Sequence, residues 1–384
     1  KYRIQNSGDD ENKAERRFFV PALMIHLLLA KKIKPNGSIL YYIGNIAPDA
    51  VADWKAKDIT HFRNLTDRAG ALAALARRTP PADDFAEGVL LHLYLDWRWD
   101  LAFRDEYIKT AGDNWVERYR SELNLSGSYA FHRTEWAKDL WKQMAEFDMT
   151  GYGEIPGASP AELKNLLSQG YKWHLSNKTG PSAVFTPEMI DEFLNKTALE
   201  YTSWKIEQEI AYYKSLPVVF TGFAAVPGLS DGEIELFCLW KMPPAPENNH
   251  VPAYQFSVHL AGRRIGDAGL HAGYTDSIYY GGQINYCFHE NRYNNMYGEK
   301  ICRLLLPVIR AHGMHKIIIT GNYTNTAVRH TCEKLGAKLI RTAPLPSWHD
   351  YYKKGMRFVN IYEWDINRYY RQEQGNGANK NSKP

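Results

Sequence analysis

Along the first half of this 384-residue chain, apolar residues recur three and four positions apart, the period of helices with one buried face. Pro21 stands at the start of PALMIHLLLAKK, in the first-turn position where proline is tolerated. An Ala-rich helix is predicted near Arg68–Arg78, then a break at Pro80–Pro81. Asp83 or Asp84 caps the next helix, which runs through GVLLHLYLDWRWD, Gly88–Asp100. Trp115–Leu123, Arg133–Phe147, Pro160–Gln169 and Pro187–Leu216 carry the same period. Between them, YIGNIAPD (Tyr42–Asp49) reads as a turn that delivers Asp49 at a fixed angle. DITHF (Asp58–Phe62) reads as a helix start, capped by Asp58 or Thr60, beside His61. The pattern predicts an all-α domain over 18–216, behind a polar, flexible lead-in at 1–17.

At about Val218 strand-like runs take over: IELFCLWKM, YQFSVHLAG, RIGDAGLHA and SIYYGGQINYCF. A helix is predicted over Tyr297–His312, then the strand KIIITGN, then a helix over Thr326–Leu335 that stops at Gly336. AKLIRTA and FVNIYEWDI close the pattern as strands. Antiparallel strands interrupted by helices predict an α+β domain over 218–367. Residues 368–384 are rich in Gln, Asn, Gly and Lys and read as a disordered tail.

Composition narrows this picture without redirecting it. Hydrophobic residues make up 44%, enough for two sizeable cores, and the net charge of +4 implies no nucleic-acid partner. The four cysteines, Cys238, Cys287, Cys302 and Cys332, show no C-x-x-C spacing and read as reduced structural thiols. No apolar run reaches transmembrane length and no secretory leader is visible. The expectation is a cytoplasmic multidomain protein with a small-molecule substrate and no membrane insertion; nothing in the pattern sets an oligomeric state.

The chemistry gathers in the first hundred residues. His92 and Asp96 are four apart in an otherwise apolar helix, so imidazole and carboxylate share one face. A carboxylate there is costly unless paired. A divalent metal satisfies both groups; a buried His–Asp hydrogen bond is the competing explanation. His26, Asp49 and His61 also sit in apolar or sharply turned segments, and neutral imidazoles with carboxylates are what a zinc site requires. The order H…GNIAPD…THF…LLHLxxD over Pro21–Phe103 resembles the zinc-dependent phospholipase C family. That resemblance implies a metal-dependent hydrolase in which Asp49, His61, His92 and Asp96 enclose one zinc. It also implies that His26, with Asp96 as a catalytic bridge, serves a second, and that a third site draws on His132, Glu135 and His174. Asp53 and Asp100 are the spare carboxylates that could orient a water.

The second half carries a separate resemblance. GGQINYCF (Gly281–Phe288), IIITGNYTN (Ile317–Asn325) and CEKLGAKLI (Cys332–Ile340) resemble GNAT acyltransferases, in particular the branch that acetylates ribosomal proteins. The resemblance implies acetyl-CoA bound between two splayed strands, along Ile284, Tyr286 and Phe288, with Asn322 and Asn325 at its pantetheine. Its pyrophosphate would lie at Tyr293, Asn295, Tyr297 and Gly298, where the family's basic, Gly-rich turn is replaced by YNNMYG. His289 or Glu290 would act as base, and Cys332 stands where the family often has a tyrosine acid. Together these give a zinc-dependent hydrolase of phosphoester, amide or ester bonds fused to a GNAT-type N-acyltransferase. In one alternative the GNAT-like part is a degenerate binding module. In another, acetyl transfer is the only reaction and the zinc is structural.

Overall fold

The computed structural model describes residues 22–51, 53–112, 115–149, 158–226, 228–290 and 294–369. The predicted lead-in, Pro21 and the tail beyond residue 369 lie outside them. The chain divides into two compact units, with Glu209 the last residue of the first and Ile210 the first of the second. The division falls inside the helix Pro187–Lys214.

The first unit is helical. Four of its helices build the region of interest: α1 (Ala22–Ile33), α2 (Ile39–Ile46), α3 (Trp54–Thr60) and, after a helix at Arg68–Ala76 (α4), α5 (Asp84–Trp99). Two local expectations are corrected. Tyr42–Asp49 is not an open turn: α2 runs to Ile46 and a 3-10 turn, Ala47–Ala50, follows with Pro48 near its start. Asp58 and Thr60 do not open a helix either. Asp53 caps α3 by accepting a hydrogen bond from the Ala56 amide, and His61 terminates it. The sequence cue was ambiguous because Asp and Thr serve both as caps and as exposed helix residues.

Gly44 is a contact residue rather than a turn residue. A Cβ there would collide with the carbonyl of Phe85, and one on Gly88 would collide with that of Tyr41. Two glycines thus let α2 and α5 cross with their backbones touching. Around the crossing, Leu23, Leu27, Tyr41, Ile43 and Leu91 are fully buried. The helix predicted over 115–123 continues to Arg133, and a π-turn, Asp100–Arg104, extends α5.

The second unit contains a five-stranded antiparallel sheet in the order β1-β2-β3-β4-β5 (Leu229–Ser230, Ile234–Met242, Ala253–Leu260, Arg263–His271, Ile284–Phe288). A three-stranded antiparallel sheet, β6-β8-β7 (Lys316–Asn322, Phe358–Asp365, Lys338–Pro344), completes it. The run SIYYGGQINYCF is not one strand. Thr275 caps a helix at Asp276–Gly281, and Gly282, at φ 80°, turns the chain into β5. Pro307 divides the helix predicted over 297–312 into Asn294–Leu304 and Leu306–Ala311. Among the described residues, no helix is long and apolar enough to cross a membrane.

Because the α2–α5 crossing has no room for a methyl group, Gly88→Ala is expected to destabilise the first unit by about 1–3 kcal/mol. Thermal unfolding followed by circular dichroism should show a drop of roughly 3–10 °C; an unchanged midpoint would contradict the crossing.

Candidate metal centre

Five polar side chains that the sequence scatters over seventy residues converge in the first unit. His26 comes from α1, Asp49 from the 3-10 turn, His61 from the end of α3, and His92 and Asp96 from successive turns of α5. His26, His61 and His92 are buried. Two groups are compact enough to hold a metal ion: His26, Asp49 and His92, and His61, His92 and Asp96.

The hydrogen bonds around the rings fix their tautomers. His92 Nδ1 lies 2.8 Å from the carbonyl oxygen of Asn45, and His61 Nδ1 lies 2.8 Å from that of Lys57. A carbonyl oxygen can only accept, so each Nδ1 carries the proton and, in a neutral ring, Nε2 is a bare lone pair. Burial, then the neighbouring His26, pushes the His92 pKa down to about 3, so that ring is neutral. The two Nε2 atoms face each other at 3.3 Å. His61 Nε2 is 3.7 Å from Asp49 Oδ1 and 3.6 Å from Asp96 Oδ2, and His92 Nε2 is 3.8 Å from both.

Four acceptors face one another here. A tetrahedral zinc with bonds of about 2.0–2.1 Å has ligand–ligand edges of about 3.3–3.4 Å. The five separations that involve the two Nε2 atoms run from 3.3 to 3.8 Å, close to those edges, so each imidazole is suitably spaced from both carboxylates, and the donors able to share one ion remain the two groups of three.

His26 stacks on His92, with ring centroids 3.9 Å apart and planes 10° apart, and its Nε2 is 3.3 Å from Asp96 Oδ1. Its buried Nδ1 has no hydrogen-bond partner. Phe62, next to His61, has φ 57°, a conformation rarely adopted by an aromatic residue. This kink turns the chain between His61 and Arg63, both of which reach Asp96.

Three cations that the sequence analysis did not single out surround the carboxylates. Lys57 Nζ pairs with Asp49 Oδ1. Arg63 Nη2 is 2.8 Å from Asp96 Oδ2, and its Nε is 3.0 Å from Asp100 Oδ2, which also accepts from Arg68 Nη1 at 2.7 Å. Burial alone would raise the Asp49 and Asp96 pKa values. Lys57 overcomes this for Asp49, and Arg63 with the His26 contact does so for Asp96, holding both carboxyls well below the usual range. A cavity of about 560 Å³ opens on the centre, lined by Lys57, Arg63, Arg104, Arg120, Trp99 and Trp115. A second cavity of about 610 Å³ lies on the far side of Ile25, which lines both, and contains no imidazole or thiol.

Other sequence candidates lie elsewhere. Asp53 is an exposed helix cap, and Asp100 is committed to Arg63 and Arg68, with Arg104 4.0 Å away. His132 bonds the Asn177 carbonyl, while His174 is fully buried, stacked on Phe131 at 4.7 Å with neither ring nitrogen partnered. They form no metal-competent group with Glu135 among the described residues.

In the second unit, the Gln283 amide donates to Ile318 O, and Gln283 Oε1 accepts from the Ile318 amide, joining the starts of β5 and β6. Beyond that clasp the two strands belong to separate sheets. Ile284, Tyr286 and Phe288 share the inner face of β5; Tyr286 OH bonds Thr331 Oγ1, and Gly298 packs against both groups. Tyr297 is buried and bonds Glu233. Asn322 closes the turn at Thr324, and Asn325 caps the helix Thr326–Leu335. His289 is exposed, and Glu290 lies 3.5 Å from Arg263. Cys332 is a buried free thiol whose pKa burial raises. Tyr293 and the Asn295 side chain lie outside the described residues.

Comparison with known families gives no matching family model, and comparison with curated proteins gives no match.

His174 supplies a pH test of its buried environment. Burial, with His132, lowers its pKa to about 3 from 6.5, so the unfolded chain takes up the proton first as pH falls. Its contribution to stability is present above about pH 6.5 and is lost as pH falls toward about 3. His174→Phe should raise stability by roughly 1–2 kcal/mol at neutral pH. The advantage over wild type should widen by about 1.4 kcal/mol per pH unit below 6.5. Denaturant unfolding across that range checks it; a constant gap would refute the assignment.

Proposed function

We propose that the first unit is a zinc-dependent hydrolase of phosphate esters, related in design to the zinc-dependent phospholipases C. The observation that carries this reading is the pair of imidazole lone pairs held face to face at 3.3 Å, flanked by two carboxylates. His61, His92, Asp49 and Asp96 would hold the ion. When bound, such an ion supplies a nucleophile at neutral pH and draws charge from the scissile ester. The protein's own part is to bind and orient the substrate. Arg63, Arg104 and Arg120 line the cavity beside the centre, and guanidinium groups match the charge and planar geometry of a phosphoryl group. Trp99 and Trp115 on the same wall would keep water from the rest of the substrate.

A purely structural zinc is the rival reading, favoured by the number of imidazole and carboxylate donors gathered here. The cavity that reaches Asp49, Asp96 and His26 favours catalysis.

For the second unit we propose an acyl-CoA-binding GNAT-like module. Its support is the edge of β5 that faces β6, clasped at Gln283 and, among the described residues, without a sheet partner on that edge beyond it. Backbone groups there would take the amides of a pantetheine arm. No base is assigned, because His289 is exposed and Glu290 already faces Arg263. Calorimetric titration with acetyl-CoA should give saturable binding, which desulfo-CoA shares and adenosine does not. No heat at millimolar ligand would refute the module.

Elemental mass spectrometry of purified protein is expected to find zinc, and His92→Ala should lose it. Hydrolysis of bis(p-nitrophenyl) phosphate should fall by more than about 100-fold in the same variant, since even partners of metal ligands cost about 10–100-fold. Zinc without phosphoesterase activity would favour the structural reading; absence of metal under replete conditions would overturn both.

A further inference from the structure

The fold seats Arg63 against the one carboxylate that two metals would have to share, and the protein's lone pairs can be counted. The two metal-competent groups have His92 in common. Its Nδ1 is committed to the Asn45 carbonyl, so a single lone pair remains, at Nε2. One imidazole lone pair binds one ion, so the two groups cannot be filled together.

A second ion would have to draw on Asp96, His26 and Asp100. Asp100 Oδ2 already accepts from both Arg63 and Arg68, at 3.0 and 2.7 Å. Asp96 Oδ2, the oxygen facing the first ion, accepts from Arg63 at 2.8 Å, so a second ion would have Asp96 Oδ1, 3.3 Å from His26 Nε2, beside the Arg63 charge. The guanidinium therefore bridges the two carboxylates with Nη2 on one and Nε on the other, where a bridging cation would lie. We propose that this centre is mononuclear and that the Arg63 guanidinium takes the place of a second divalent ion.

The charges agree. Asp49, Asp96 and Asp100 are faced by Lys57, Arg63 and Arg68, each in contact with one or two of them, and Arg104, shared with Asp105, stands 4.0 Å from Asp100 Oδ1. With no net negative charge left in this set, one divalent ion makes it cationic, which suits an anionic substrate. A second would add two more charges with no free carboxylate among these to receive them. Arg63 is then a positioning residue, fixing Asp96 and excluding a second metal.

This inference rests on the metal reading above, and its test separates the two. Zinc is titrated into metal-free full-length protein against a chromophoric chelator, and retained metal is counted after gel filtration. Wild type is expected to saturate at one zinc per chain. Arg63→Met removes the cation held between Asp96 and Asp100, leaving Asp96 Oδ1, His26 and Asp100 to a second ion, and should raise the count to two. Two zinc ions in wild type, or one in a folded Arg63→Met variant, overturn the role given to Arg63. No zinc in wild type overturns the metal reading itself. Should Arg63→Met fail to fold, cobalt titration of wild type decides: visible absorption that saturates at one equivalent supports the proposal, and saturation at two overturns it.

Discussion

Two buried imidazoles whose Nδ1 protons are taken by backbone carbonyls leave their Nε2 lone pairs 3.3 Å apart. Such an arrangement is repulsive unless a cation lies between the rings or one of them holds an extra proton. His92 resists that proton, because burial and His26 push its pKa to about 3. The surrounding helices hold this geometry. Asn45 offers its carbonyl to His92 only because α2 and α5 touch at Gly44 and Gly88, and Lys57 offers its own because α3 stops at His61.

The same constraint shapes the charges. Lys57, Arg63 and Arg68 neutralise the carboxylates one by one, so the centre is stable against its own repulsion before any ion arrives. That balance sets what further charge the centre tolerates. An anionic ester bound beside Arg104 and Arg120 would complete it, with the ion and substrate contributing opposite charge in one cavity. Catalysis and assembly of the centre would then draw on the same set of side chains.

Much of the fold was legible because period and punctuation agree. KIIITGN and IELFCLWKM are continuous or alternating apolar runs and form strands with those bounds, and Gly336, at φ 69°, ends the helix before it. The illegible parts depend on tertiary contact. Gly44 and Pro48 look like turn residues locally, yet Gly44 serves a helix crossing. The SIYYGG segment has strand-like composition, but the Thr275 cap and the Gly282 turn make it a helix. Of the candidate site, His92 and Asp96 could be paired from spacing alone, whereas Lys57, Arg63 and Arg68 could not. Flanking basic residues are common, and only the folded chain shows them reaching Asp49, Asp96 and Asp100. Phe62 gives no sequence sign of its positive φ at all.

The most direct measurement is an anomalous difference map at the zinc edge from crystals of zinc-loaded protein. The account predicts one peak, between His61 Nε2 and His92 Nε2 and beside the facing carboxylate oxygens. A map without a peak there, with the two rings still at hydrogen-bond distance, would mean that a shared proton joins them. The metal centre would then be a buried hydrogen-bond network.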